Sequence, residues 1–314
     1  MKNSSKINKK IEELKKKRNA VILAHNYQIP EVQDAADFTG DSLDLSRRAA
    51  ATDAEVIVFC GVHFMAETAS ILAPHKTVLI PDETAGCPMA DMIDAEKLME
   101  LKALHPGAVV VSYVNTTAAV KSLTDVCCTS ANAVSVVEHL KAREIIFVPD
   151  KYLGSWVAKK TGKKMILFDG HCPTHIRILA EDIVRAKKRH PGATVIVHPE
   201  CRTDVVSLAD FVSSTSGMSA FAGHSKAKEF IIGTERGMLY RLKKDNPGKE
   251  FYPASEIAVC ENMKKITLEK ILWTLSELKY EVKVEKAVRI KALAALEKMI
   301  KWYRKEKKIY AVQR

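Results

Sequence analysis

Apolar, β-branched runs recur along this chain in three matching sets, and that repetition constrains the fold more than any other feature. The first set is "AVILAHN", "EVIVFCG" and "KTVLIPD". The second is "AVVVSYVN", "DVCCTS", "EIIFVPD" and "KMILFDG", and the third is "ATVIVHPE", "FVSSTS", "EFIIGTE" and "KEFYPAS". Runs that are continuously apolar, rather than alternating, suit strands covered on both faces, so parallel sheets with helices between the strands are predicted. A polar cluster closes the leading run of each set, at His25 ("HNYQ"), Tyr113 ("YVNT") and His198 ("HPEC"). A cysteine follows 62, 59 and 62 residues later, so that Cys87, Cys172 and Cys260 stand 85 and 88 residues apart. The economical reading is an α/β fold of three related, Rossmann-like βαβ domains, packed with pseudo-three-fold symmetry around one central site. Their expected extents are 1–84, 85–171 and 172–314, with a C-terminal helix over 286–314 packed on the first domain.

Length agrees with several domains, since 314 residues exceed the roughly 250 at which single cores stop growing. The formal charge of +11 sits at the ends: residues 1–18 carry net +6 and residues 286–314 net +8, which leaves −3 for the body. Both ends therefore read as solvated, Lys-rich amphipathic helices and not as a nucleic-acid surface. No apolar run reaches the roughly 18 residues of a membrane span, and the N-terminus lacks a signal-like apolar stretch. A cytoplasmic protein without membrane partners is expected. Seven cysteines in such a chain argue for reduced thiols over a disulfide framework.

In parallel α/β folds, functional groups gather beyond the carboxyl ends of the strands, where helix N-termini also present amide groups to anions. The three polar clusters and the three loop cysteines, in "GCPM", "HCPTH" and "VCEN", all fall at such ends. Three convergent thiolates would select zinc, copper(I) or an iron–sulfur cluster. A closed structural zinc site normally draws four ligands from close pairs, and the chain has no CxxC. A four-iron cluster on three thiolates leaves one iron open to substrate as a Lewis acid. Cys60, Cys127, Cys128 and Cys201 lie in or beside apolar runs and read as small buried hydrophobes.

The stretches "LAHNYQIPEVQDAADFTGDSLDLS", "AGCPMADM", "SYVNTTAAVKSLTDVCCTSANA", "GHCPTH", "HPEC", "STSGM" and "IIGTERGML" resemble the quinolinate synthase A family over about residues 20–285. The resemblance implies a cytoplasmic enzyme of de novo NAD biosynthesis. Its reaction condenses iminoaspartate (iminosuccinate) with dihydroxyacetone phosphate to quinolinate, phosphate and water. It also implies a [4Fe–4S] cluster held by Cys87, Cys172 and Cys260 with one open iron, and functional coupling to an aspartate oxidase or dehydrogenase that makes the imine. Two departures stand out. The run "VCENMKK" lacks the CxxCxxC that some members carry, leaving Cys260 as the ligand, and "LFDGHCPTH" places Asp169 and His171 where a more apolar approach is expected.

Both implied substrates are anionic, so a near-neutral body must bind them with focused donors. By the resemblance His25 binds substrate, and its imidazole suits a carboxylate or a proton shuttle. Tyr27, two residues on, offers a phenol as proton donor to a leaving hydroxyl. Ser42 reads as a helix N-terminal residue able to hold an anion with free backbone amides. Tyr113 and Asn115 alternate and share a side, and the family assigns Tyr113, Val114 and Asn115 to iminosuccinate. Ser130 and Thr215 place hydroxyls before helix N-termini. His198, Pro199 and Glu200 form a further substrate stretch, with Glu200 a general base or, alternatively, an ion-pair partner of Arg202. The catalytic set implied is His25, Tyr27, Tyr113, His198 and Glu200. A zinc-dependent or metal-independent α/β aldolase or lyase is the competing reading, followed by a nonenzymatic ligand- or RNA-binding module.

Overall fold

A computed structural model describes residues 2–312, with side chains from residue 5 to residue 302; Met1 and the last two positions of the expected C-terminal helix, 313–314, lie outside the described residues. Three four-stranded, wholly parallel sheets carry the chain. The first contains β1 (Ala20–His25), β2 (Phe38–Gly40), β3 (Val56–Cys60) and β4 (Thr77–Leu79) in the order β2-β1-β3-β4. The second contains β5 (Val109–Tyr113), β6 (Val126–Cys128), β7 (Ile145–Val148) and β8 (Met165–Leu167) in the order β6-β5-β7-β8. The third contains β9 (Thr194–Val197), β10 (Phe211–Val212), β11 (Glu229–Gly233) and β12 (Glu250–Pro253) in the order β10-β9-β11-β12. The central strands β3 and β7 are buried at every residue, as continuous apolar runs demand.

The repeat extends to single hydrogen bonds. In each sheet an aspartate just ahead of the second strand accepts from a backbone N–H of the first: Asp37 from Ile22, Asp125 from Val110 and Asp210 from Val195, each at 2.8 Å. The same aspartates return a backbone bond to those residues' carbonyls, at 3.0, 3.1 and 3.0 Å. This two-bond clamp satisfies an amide and a carbonyl of the first strand just ahead of its ladder with the second, and sets where the second begins. Asp125→Ala strips the carboxylate from one clamp, and a charge-assisted bond of this kind contributes about 1.5–3 kcal/mol. The expected result is a lower urea unfolding midpoint with the fold retained.

The cysteine loops are equally alike. The carbonyl two residues before each cysteine accepts from the start of the helix that follows the third strand: Ala85 from His63 (2.8 Å), Gly170 from Lys151 (2.9 Å) and Ala258 from Arg236 (3.0 Å). A short 3-10 turn follows each, at Ala90–Met92, His175–Arg177 and Met263–Lys265. Each thiol is thus held between a helix N-terminus and a turn.

The N-terminal helix packs on helix Leu268–Glu277, where Arg18 donates to the Ser276 carbonyl at 2.8 Å. The C-terminal helix, Lys286–Val312, lies against β6 and helices Ala118–Lys121 and Ala133–His139 of the second sheet, and also touches helix His63–Leu72 of the first. Trp302 stacks on His139, and Lys298 donates to the Asp125 carbonyl at 2.9 Å. Among the described residues no helix is long and apolar enough to cross a membrane.

Candidate active site

A cavity of about 240 Å³ opens at the carboxyl ends of the leading strands, and all three units line it. Counting with each sheet the loop that follows its last strand, the first unit gives His25 and Tyr27 at the end of β1, Asp41 and Ser42 at the start of helix Ser42–Ala51, and Cys87. The second supplies Tyr113, Asn115, Ser130, Cys172 and His175, and the third His198, Glu200, Thr215, Glu235 and Cys260. Val114 and Pro199, expected to contact substrate, are not lining residues: both are buried, and the Val114 amide is spent on the Cys128 carbonyl at 2.9 Å. Each is the middle member of an alternating triplet whose outer members face the cavity.

The histidines of β1 and β9 are built alike. Tyr27 N–H donates to His25 Nδ1 at 3.2 Å, and Glu200 N–H donates to His198 Nδ1 at 3.3 Å. With Nδ1 accepting, the neutral ring carries its proton on Nε2; His198 Nε2 meets Ser130 Oγ at 3.1 Å. Burial drives both imidazoles down to about 3, against the pull of Glu200. Both histidines are therefore neutral donors at physiological pH.

A buried hydrogen-bonded array connects them. Tyr27 Oη lies 2.6 Å from Thr234 Oγ1 and 3.4 Å from His175 Nε2, which itself lies 2.9 Å from Thr234 Oγ1. On its other side His175 Nδ1 is 2.7 Å from Glu200 Oε2 and 3.1 Å from Cys172 Sγ. The His175 and His198 rings stack at 4.8 Å. Burial pushes the Glu200 carboxyl up, but His175, His198 and a hydrogen bond from Tyr113 outweigh it and hold the group at about 2. Burial, with the Glu200 charge next, lifts the Tyr27 and Tyr113 phenols well above their usual range. The alternative ion pair of Glu200 with Arg202 is not formed: Arg202 pairs with Asp204 at 3.3 Å in solvent, and Glu200 is 3% exposed.

Cys87, Cys172 and Cys260 are free and partly buried in the cavity wall, whereas Cys60, Cys127, Cys128 and Cys201 are fully buried in the cores. The loop thiols sense each other's charge, Cys260 acting on Cys87 and Cys87 on Cys172. Burial comes first among the causes and pushes Cys87 up to about 12. Glu235 fixes the third loop, its Oε1 accepting from Cys260 N–H at 3.2 Å and its Oε2 from Gly237 N–H at 2.6 Å. Lys264 pairs with Glu235 Oε1 at 2.9 Å and also donates to the Tyr27 carbonyl, joining the third cysteine loop to the end of β1. In the second loop Asp150 stands in the place of Glu235, its Oδ1 accepting from Leu153 N–H at 2.8 Å, while the first has apolar Val62 at the matching helix cap.

The Quinolinate synthetase A protein family profile matches residues 9–301. The chain belongs to that family. It is 59% identical over 295 residues to a protein named quinolinate synthase from Dehalococcoides mccartyi (strain CBDB1), covering 94% of this chain and 98% of the relative. It is 58% identical over 298 residues to one of the same name from Thermodesulfovibrio yellowstonii, covering 94% and 98%. Quinolinate synthase 1 of Methanosarcina acetivorans is 56% identical over 292 residues, covering 93% and 96%.

The quinolinate synthetase A motifs thus converge on one cavity, with one correction and several additions. Ser42 lines the cavity, but the amides behind it are not free for an anion: Asp41 caps that helix and accepts from Leu43 at 3.0 Å and Asp44 at 2.9 Å. Thr215 accepts from Asn26 Nδ2 at 2.9 Å, while Ser214 is the cap. His175, Thr234, Glu235 and Lys264 were not singled out in the sequence. His175 and Lys264 stand within four residues of a cysteine, and Thr234 and Glu235 occupy the strand-end position that "VPD" marks in the second unit. Burial raises Asp41 to about 6, with Asp44 adding to the effect. An anion held near Ser42 should therefore bind more weakly as pH rises through about 6 and Asp41 ionises. Asp41→Asn should flatten that part of the affinity profile, measured by calorimetry with a phosphate monoester against wild type.

Proposed function

We propose that the chain is a quinolinate synthase. In this reading it condenses iminoaspartate with dihydroxyacetone phosphate to quinolinate, phosphate and water, and holds a [4Fe–4S] cluster on Cys87, Cys172 and Cys260. The carrying observation is that one cavity unites a single loop thiol from each unit with a buried acid–base array, in a member of this family. The donor set fits the cluster. Three thiols from equivalent loops face one cavity, each held between a helix amide and a turn, while the other four are sealed in cores. When bound, the cluster supplies an iron with a vacant coordination position as a Lewis acid.

The protein groups divide the remaining work. Neutral His25 and His198 present Nε2–H donors to substrate carboxylates, and Ser130 assists through His198. Asn115 Oδ1 is buried and has no hydrogen-bond partner among the described residues, so an imine or amine N–H of the substrate would satisfy it. Tyr27, kept protonated by burial, donates to a departing hydroxyl, and Thr234 with His175 replenishes its proton. Glu200, kept ionised, is the base, and Tyr113 orients it. Iminoaspartate must come from an enzyme that oxidises aspartate, an oxidase or a dehydrogenase, which makes that enzyme the functional partner. The test is an anaerobic assay of reconstituted protein with both substrates. Brown protein that contains iron and acid-labile sulfide and forms quinolinate is expected; a colourless, zinc-loaded and active protein would overturn the reading.

A further inference from the structure

In the cavity wall three potential ligand atoms converge: His175 Nδ1, Glu200 Oε2 and Cys172 Sγ, all within 4.8 Å of one another. His175 and Glu200 are 1% and 3% exposed, so little water reaches them. His175 Nδ1 is at hydrogen-bonding distance from Glu200 Oε2, 2.7 Å, and 3.1 Å from Cys172 Sγ, so an entering cation takes the place of a proton shared at that corner, while Nε2, 2.9 Å from Thr234 Oγ1, keeps its hydrogen bond. An outer hydrogen bond on the far ring nitrogen is how proteins orient a metal-ligating histidine. Three-fold repetition does not account for the group, because the counterparts of His175, three residues after each cysteine, are Ala90 and Met263.

We propose that the cluster-free chain binds one zinc ion at Cys172, His175 and Glu200, with a fourth position open to the cavity. Thiolate, imidazole and carboxylate together are a donor set that zinc favours in tetrahedral geometry, with bonds of about 2.0–2.3 Å. Those bonds put ligand atoms about 3.3–3.6 Å apart. Nδ1 stands 2.7 Å from Oε2 and 3.1 Å from Sγ, so an entering ion spreads them by roughly half an ångström, within the reach of side-chain rotation. The site goes beyond quinolinate synthesis and does not depend on it. Its consequence does rest on the cluster reading: Cys172 serves both metals, so zinc and the cluster exclude each other.

Cobalt(II) is the probe. Reduced, chelator-stripped chain, titrated anaerobically, should bind one equivalent, show sulfur-to-cobalt charge transfer with the intense visible bands of a tetrahedral site, and release cobalt to zinc. His175→Gln and Glu200→Gln should each weaken binding at least about tenfold, as loss of a ligand requires. The double variant Cys87→Ser, Cys260→Ser should retain binding and the bands. Loss of binding in that double variant, with wild-type circular dichroism, would overturn the proposal by placing the metal among the loop thiols; so would the absence of stoichiometric binding in folded wild type. The double variant decides the matter even if His175→Gln fails to fold. Zinc-loaded chain should take up no iron and sulfide until a chelator is added. A metal-free chain that never assembles a cluster would sink the cluster reading alone and leave the zinc site standing.

Discussion

Cys87→Ala, Cys172→Ala and Cys260→Ala should each abolish cluster retention and quinolinate formation, while Cys128→Ala should leave both largely intact. The contrast follows from position. Each loop thiol is the sole one its unit brings to the cavity, whereas Cys128 is fully exposed to neither cavity nor solvent at 0% accessibility and acts as a small core hydrophobe. A three-thiolate site has no spare ligand, so losing one removes a corner that nothing nearby replaces. Iron and sulfide analysis after anaerobic reconstitution, with absorbance of the brown chromophore, makes the measurement. Equal loss from all four variants would refute the ligand assignment.

The second large effect belongs to the acid–base array. Tyr27→Phe and Glu200→Gln should spare the cluster yet cut turnover about 100-fold or more, the usual scale for a lost proton-transfer group. Phenylalanine preserves the packing but breaks the 2.6 Å contact to Thr234, and glutamine keeps the shape of Glu200 while removing its charge beside His175. Steady-state kcat on protein with full iron content separates this from cluster loss. Near-normal rates would remove both residues from the mechanism.

Much of this was legible because parallel strands announce themselves. β1, β3, β5, β7 and β9 are continuous apolar runs, and their shared order within each sheet follows from the repeat. The loop cysteines were legible from their spacing and from the loop contexts "GCPM", "HCPTH" and "VCEN", which do not read as core strands. Which residue caps the helix beside Ser42 was not legible, because Asp41 competes for the same amides and adjacent cap candidates look alike in sequence. Glu235 was hidden for another reason. Glutamate is usually solvated, and only the fold shows that it is 0% exposed, pinned by Lys264 and two amides. His175 lay in plain view in "HCPTH", but its partners Thr234 and Glu200 come from the third sheet, and no local pattern places them beside it.

The unequal loops have a consequence for orientation. A cage made from three identical copies presents the same face to every visitor and cannot tell head from tail in an elongated guest. Here one corner carries an imidazole, another a lysine–glutamate brace and the third an apolar cap, all within a single polypeptide. Covalent linkage allows each corner to differ, so two chemically unlike reactants can each find a distinct berth and meet in one relative pose.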